Sequence, residues 1–211
     1  MSWTFIDPGL FALFLVAAVI IYITPGPDML YVLAHALSMG TWAGIVASLG
    51  MGIGMAVHTT AATLGLATLL QATPVVYEVI RYAGAAYLAY LGVRTWLSSA
   101  AAAGEIAEGV NVPLRTVLWR ATITNLLNPK IILFYVAFLP QFVNTSLGRT
   151  TLQFLVLGVI FVIMGLIADF AVALLGGRVG EWLLWRKNAR VMVNRAAAVV
   201  FVGLAVRLVV A

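Results

Sequence analysis

The sequence predicts an all-α membrane protein with six transmembrane helices in two inverted three-helix repeats, and three observations support this fold class. Of the 211 residues, 64% are apolar and only 9% are charged, whereas a soluble domain carries about 25% charged residues. The apolar residues form long blocks, not the alternating segments of about ten residues that are typical of a membrane β-barrel. Short similarities recur about half a chain length apart, which indicates a duplication.

Each apolar block is long enough to cross the hydrocarbon core, which takes about 20 residues. The blocks cover residues 9–37, 42–70, 75–97, 118–142, 150–177 and 194–211. We predict one transmembrane domain over 1–211, with repeat one at about 1–97, a flexible loop at about 98–117 and repeat two at about 118–211. Segment 178–195 places Trp182 and Trp185 among basic residues, which predicts an interfacial helix.

The repeat is visible in two pairs of short segments. PGPDMLYV at 25–32 aligns with PKIILFYV at 129–136, and LGVR at 91–94 aligns with LAVR at 204–207. Because three spans per repeat is an odd number, the two repeats must cross the membrane in opposite directions.

The basic residues predict the orientation, since loops that face the cytoplasm carry an excess of Lys and Arg. Three fall on one side of the predicted topology, at Arg81, Arg149 and Arg207. Eight fall on the other, at Arg94, Arg115, Arg120, Arg178, Arg186, Lys187, Arg190 and Arg195. We therefore predict that the long loops are cytoplasmic and that both termini lie outside.

Composition also argues against several classes of function. The chain has no cysteine, which excludes disulfides, thiolate metal sites and thiol redox chemistry. Its net charge of +5 follows from the cytoplasmic loops and does not form a basic domain for nucleic acid. The N-terminal MSWTFIDPG has no basic region, so the first block is expected to be a retained span and not a signal peptide. We expect no enzyme activity, no cofactor and no metal.

The first span contains a helix break at YITPGPDMLY, residues 22–31. Pro25 and Pro27 each lack an N–H and leave a carbonyl four residues earlier without its helical donor. Gly26 is expected to give the turn its conformational freedom, and Pro27 suits the first position of a new helix. Such a break with Asp28 beside it survives in lipid only where protein or a water-filled cavity covers it.

The fourth span repeats the break at Asn128, Pro129 and Lys130. Asn128 is a good N-cap and Pro129 a good first residue, but a helix N-terminus disfavours a cation such as Lys130. We predict that Asp28 compensates Lys130, so that two half-helix N-termini converge on a site suited to a carboxylate ligand. The alternative is that each proline only kinks its helix.

Other polar residues within the spans are weaker candidates. His58 is equally compatible with packing in the bundle and with a proton relay. Asp169 is a functional candidate because burying an acid in the membrane is unfavourable, although it could instead reach the cytoplasmic interface. Asn125 is expected to form hydrogen bonds between helices. The glycine-rich run at 50–54 allows close helix packing, either within the chain or at the seam of a homodimer.

Three motifs, ITPGPDMLYVL at 23–33, YLGVRTWL at 90–97 and LLNPKIILFYVAFLPQFV at 126–143, resemble the lysine exporter / homoserine–threonine resistance (LysE/RhtB) family. The likeness covers essentially the whole chain. It implies a six-span protein of the bacterial inner membrane that exports amino acids or their derivatives by proton antiport. The family's motif residues carry over to Pro25, Gly26, Pro27, Asp28, Asn128, Pro129, Lys130 and Gln141.

We therefore expect alternating-access export of a zwitterionic amino acid in exchange for protons. Lys130 and the half-helix amides would hold the substrate carboxylate, and Asp28 would hold the ammonium, exchange a proton, or do both. The alternatives are a channel, a membrane enzyme, and an exporter of another small solute or cation. A channel needs rings of like residues, an enzyme needs a nucleophile–base set and a divalent cation needs several oxygen ligands; the sequence shows none of these clearly.

Overall fold

The structure, a computed structural model, describes residues 5–24, 26–66 and 112–176, and isolated helical positions between 78 and 96 and between 195 and 209. Pro25, the predicted third and sixth spans apart from these positions, most of the loop at 98–117 and the predicted interfacial helix lie outside the described residues. Within the described parts every regular element is helical, as the sequence predicts. The count of six spans and the inverted repeat stay predictions.

Six α-helices follow one another in the three continuous parts. They are α1 (Pro8–Ile23), α2 (Pro27–Met39), α3 (Thr41–Ala61), α4 (Leu114–Leu126), α5 (Pro129–Leu133) and α6 (Thr150–Leu174). A π-helical turn at Ala62–Leu66 extends α3, whereas α5 continues through a π-helical turn at Phe134–Phe138 and a 3₁₀ turn at Leu139–Phe142. A further 3₁₀ turn at Thr145–Leu147 precedes α6.

Length and composition make these helices membrane spans. Thr41–Gly65 and Thr150–Leu174 each have 25 residues and can cross a bilayer alone. By length and composition, α1 with α2, and α4 with the helical segment Pro129–Phe142 that α5 begins, can each form one broken span or a re-entrant loop; the two pairs are bent by 48° and 47° respectively. The structure therefore confirms both predicted interruptions, and the fourth span begins at Leu114 instead of residue 118.

The exposed residues of α6 indicate that this helix is surrounded by lipid. Its outward positions are large and apolar, at Leu155, Val159, Ile163, Ile167 and Leu174. Its inward positions form a second stripe, at Phe154, Leu157, Phe161, Asp169 and Val172. A helix that is apolar all round is typical of a membrane span, so the chain is a membrane protein.

Glycines bring the helices of one chain close together. A side chain at Gly50 would collide with the backbone carbonyl of Leu118 in α4, and one at Gly52 would lie 2.8 Å from Leu166 in α6. Gly54 lies against Asn125, where an added Cβ would be 2.6 Å from Oδ1. The glycine-rich run at 50–54 thus serves contacts within the chain, which favours that alternative over a dimer seam.

Candidate functional site

The first break lies between the end of α1 and the start of α2. Thr24 ends α1, where its amide donates to the carbonyl of Ile20 at 3.0 Å and its hydroxyl donates to the same oxygen at 2.7 Å. Gly26 is the N-cap of α2 and Pro27 its first residue, as the sequence predicts. The amides of the first turn of α2 therefore have no helical acceptor. Pro25 lies outside the described residues.

Gly26 is needed for a different reason from the one the sequence suggested. Its backbone is extended, with φ −141° and ψ 177°, which any residue adopts without strain. A Cβ at this position would lie 2.5 Å from Oδ1 of Asp28 and 2.8 Å from Nζ of Lys130. The expectation of a conformationally free turn is wrong, because glycine here leaves room for two charged groups.

The second break is capped as predicted. Asn128 is the N-cap of α5, and its Oδ1 accepts a hydrogen bond of 3.0 Å from the amide of Lys130. Pro129 is the first helical residue, where its missing N–H is harmless. Lys130 therefore lies in the first turn of α5. The free N–H groups there give the helix end a partial positive charge, which is unfavourable for a cation.

Lys130 is compensated from the first break. Its Nζ lies 3.3 Å from Oδ1 of Asp28 and also donates to the carbonyl oxygens of Ile21 and Thr24, at 3.3 Å each. Pro25 has no N–H to occupy the carbonyl of Ile21, so the break itself supplies an acceptor. The ammonium thus lies at the negative, C-terminal end of α1, where a cation is favoured.

The ion pair is almost removed from solvent, since the Lys130 side chain is 12% exposed and the Asp28 side chain 6%. Each charge loses most of its hydration there, so neither is stable alone. Removing one partner of a buried pair typically destabilises a protein by about 3–5 kcal/mol, because the other charge stays buried. The two breaks are therefore coupled through this contact.

A second acid faces the same region from α6. Asp169 is 5% exposed and interacts electrostatically with both Asp28 and Lys130. Tyr22, on the last turn of α1, donates a hydrogen bond of 2.7 Å to the carbonyl of Phe161, two turns before Asp169. The structure thus buries Asp169 among the helices, and whether it lies at the depth of the site or near the cytoplasmic interface stays a prediction.

The second break also holds buried polar atoms that lack hydrogen-bond partners among the described residues: Oδ1 of Asn125, Nδ2 of Asn128 and Nε2 of His58. His58 stacks on Tyr135 with ring centroids 5.4 Å apart and lies beside the backbone of Asn125 and Leu126. Buried polar groups are normally paired. Three open valences around one break therefore indicate space for water or a polar ligand.

Among the described residues, Gln141 forms no hydrogen bond to the residues of either break. Its Nε2 donates to the carbonyl of Ala137 at 2.9 Å, one turn earlier in its own segment. Gln141 was a candidate only through the family resemblance. Its contact is the ordinary one of a polar side chain satisfied by its own helix.

Sequence reasoning missed two tyrosines of the site. The hydroxyl of Tyr22 bonds the backbone of α6, and the hydroxyl of Tyr135 donates to the carbonyl of Met55 at 3.1 Å and lies 2.8 Å from Oγ1 of Thr59. A tyrosine deep in an apolar span was an available signal, since a buried phenol must find a partner.

Comparison with known proteins agrees with this geometry. The family model for the LysE type translocator matches residues 19–211. The chain belongs to the LysE type translocator family. Members of this family are transporters and not enzymes.

Curated members of the LysE type translocator family align over nearly all of this chain. A leucine efflux protein of Salmonella choleraesuis (strain SC-B67) is 35% identical over 195 residues, which is 92% of each chain. Leucine efflux proteins of Enterobacter sp. (strain 638) and Klebsiella pneumoniae subsp. pneumoniae are 34% and 33% identical over the same length. No solved structure matches the chain.

Proposed function

We propose that this protein exports a small apolar amino acid, with leucine as the leading candidate, from the cytoplasm by proton antiport with alternating access. The observation that carries the proposal is the Asp28–Lys130 ion pair, which joins the two helix breaks at 3.3 Å. Leucine efflux by relatives that align over 92% of the chain supports the choice of substrate.

The ion pair has the charges that a zwitterion needs. An amino acid carries a carboxylate and an ammonium on neighbouring atoms, so it can enter between Asp28 and Lys130 and give each of them a new partner. Lys130 and the open amides of the first turn of α2 would hold the carboxylate, and Asp28 would hold the ammonium. Because each buried charge stays paired, this exchange avoids the penalty of separating the ions in lipid.

Buried apolar side chains lie next to the two breaks in the chain. Ile21 on the last turn of α1 and Ile131 in α5 are buried, as is Phe134 directly after α5, and the ring of Phe134 stacks on Phe161 with centroids 3.6 Å apart. A leucine side chain gains free energy in such surroundings, whereas a second ammonium, as in lysine, would lose its hydration without a partner. The surroundings therefore favour an apolar substrate.

Alternating access would use the bent spans. Each break leaves a few residues without helical hydrogen bonds, and such residues can absorb a change in backbone angles as one bundle moves against another. The predicted inverted repeat would let the same motion open the site first to one side and then to the other. The proton would be exchanged by an acid at the site, which connects transport to the proton gradient.

Counterflow in proteoliposomes tests the proposal. We expect labelled leucine to exchange faster than labelled lysine or threonine, and Asp28→Asn and Lys130→Ala each to abolish exchange while the protein remains inserted. Thr60→Ala is the matched control, because Thr60 is exposed and its hydroxyl bonds only to Ala56 of its own helix among the described residues. Normal exchange by both charge variants would refute the assigned site, and ion conductance of the reconstituted protein would indicate a channel.

A further inference from the structure

Asp169 is a buried carboxylate without a counter-ion of its own. It is 5% exposed, and within the continuous described parts of the chain no cation pairs with it and no side chain donates a hydrogen bond to it. Lys130 interacts electrostatically with Asp169 but is already paired with Asp28. A buried acid in this situation needs a proton or a ligand to balance it.

The helices packed against α6 bring few other titratable groups to Asp169. From α1 comes Tyr22, which interacts electrostatically with Asp169 and Asp28. The other polar residues of α2 face α4, since the hydroxyl of Tyr31 donates to Val117 and His35 stacks on Tyr31. From α3 the one titratable side chain is His58, which lies beside Asn125 and Tyr135. Among the described residues, the charged groups that interact with Asp169 are thus Asp28 and Lys130.

Two buried carboxylates and one ammonium therefore lie on helices packed against one another, since Gly165, one turn before Asp169, faces the hydroxyl of Tyr22 on the last turn of α1. With both acids ionised the group carries one uncompensated negative charge, which the low dielectric makes unfavourable. A proton removes this charge, whereas an amino acid has no net charge as a zwitterion and instead places its ammonium against the carboxylates and its own carboxylate against Lys130. Asp28 keeps its ion pair with Lys130 at 3.3 Å, so among the described residues Asp169 is the carboxylate of the two that has no ion pair.

We propose that Asp169 is the proton-carrying acid of the transport cycle and that its proton and the substrate ammonium exclude one another. This proposal rests on the proposed function and goes beyond it by separating the proton site from the Asp28–Lys130 substrate site. On the outer side a proton binds Asp169 and releases the amino acid. On the cytoplasmic side the proton leaves, and the ionised carboxylate attracts the next ammonium, so that one proton enters for each amino acid that leaves.

The test compares three variants with the wild type in proteoliposomes. Counterflow of labelled leucine at equal pH on both sides needs no net proton movement, whereas uphill leucine transport driven by an imposed pH gradient does. Asp169→Asn is the principal variant, Asp28→Asn the substrate-site variant, and Asp7→Asn the matched acid-to-amide control, because Asp7 caps the outer turn of α1.

We expect Asp169→Asn, which mimics the protonated acid, to retain counterflow at saturating leucine with a raised KM and to lose gradient-driven transport, whereas Asp28→Asn loses both and Asp7→Asn keeps both. The leucine KM of the wild type should rise about tenfold as the pH is lowered, a typical size for coupling between two sites, and Asp169→Asn should have a KM that does not change with pH. Asp169→Glu should restore the pH dependence, which a merely structural role would not produce.

Three results would overturn the inference. Gradient-driven transport by Asp169→Asn would show that Asp169 does not carry the transported proton. Loss of counterflow at saturating leucine in a folded Asp169→Asn would show that Asp169 belongs to the substrate site. If Asp169→Asn does not fold, the wild type alone decides: leucine binding in weakly buffered detergent must release a proton, and no release contradicts the proposal. Normal counterflow by Asp28→Asn would instead refute the proposed substrate site and leave the Asp169 result standing.

Discussion

Lys130 shows how one residue can be unfavourable for its own helix and favourable for the molecule. It lies in the first turn of α5, near the positive end of that helix, yet its ammonium meets the last carbonyls of α1 and the carboxylate of Asp28. Three acceptors from the first break thus offset the local penalty of the second. The pairing depends on both breaks being present.

A double variant tests this pairing. Lys130→Met and Asp28→Asn should each lower the free energy of unfolding by about 3–5 kcal/mol, because each leaves one buried charge alone. The double variant should be more stable than the sum of the two single losses implies, since neither charge remains. Thermal unfolding in detergent measures this coupling. Strictly additive losses would mean that the two side chains do not interact.

At the scale of helices, close approach of α3 to α4 and α6 positions the two breaks. Gly50 and Gly54 are one turn apart on the α3 face that meets α4, and Gly158 of α6 lies against Thr59 of α3. The hydroxyl of Thr122 in α4 donates to the carbonyl of Gly50 at 3.1 Å. Small residues are what allow helix backbones to approach this closely in a membrane.

Gly50→Ala should separate α3 from α4. The new methyl group would overlap the backbone carbonyl of Leu118 and the side chain of Ala121, and such overpacking typically costs about 1–3 kcal/mol. Gly65→Ala is the control, because no atom of the described residues lies within 4 Å of its added Cβ, and the change should be neutral or slightly stabilising. Equal melting temperatures of the two variants would contradict the tight α3–α4 contact.

The carboxyl group of Asp7, the N-cap of α1, should make the stability of the protein depend on pH in the acid range. Oδ1 of Asp7 accepts hydrogen bonds from the amides of Gly9 and Leu10, and Oδ2 accepts one from Asn144; these bonds, that from Leu10 first, hold the pKa of Asp7 below its usual 3.8. A lowered pKa in the folded state means that the carboxylate stabilises the protein above pH 3.8. This contribution disappears as the pH falls through the lower, folded pKa.

Asp7→Asn isolates that contribution, since asparagine also caps helices well but does not titrate. The difference in melting temperature between the wild type and Asp7→Asn should be constant near neutral pH and should shrink below about pH 4. A difference that stays the same down to the lowest pH at which the protein remains folded would show that the Asp7 carboxylate contributes no such stabilisation.

For the whole molecule, local rules predicted much of the described architecture. Apolar blocks predicted the membrane helices of the described parts, prolines predicted both breaks, and Asn128 was recognised as a cap because its chemistry acts within three residues. The pairing of Asp28 with Lys130 also followed, since each charge in lipid needs a partner. The end of the predicted third span also lies close to the start of the predicted sixth span, because the guanidinium of Arg195 is 5.3 Å from the ring centroid of Trp96.

What the sequence could not predict depends on how helices are rotated against one another. Asp169 could have faced the interface or the site, and only the packing of α6 brings it towards Asp28. The role of Gly26 was misjudged because local rules consider its own backbone, whereas the constraint comes from Lys130 in a distant segment. The π-helical turns that extend α3 and α5 likewise have no marker in the sequence that we recognise.

Chemical labelling at the first break tests most directly whether the two broken helices enclose a water-filled site. The chain has no cysteine, so single cysteines can be placed without a background. Thr24 and Ile23 are neighbours at one depth, but Thr24 is 5% exposed beside the ion pair and Ile23 is 53% exposed on the lipid side. We expect a water-soluble maleimide to label Thr24→Cys more slowly when leucine is present and to leave Ile23→Cys unlabelled. Labelling of Ile23→Cys with no reaction at Thr24→Cys would contradict a wet site between the breaks.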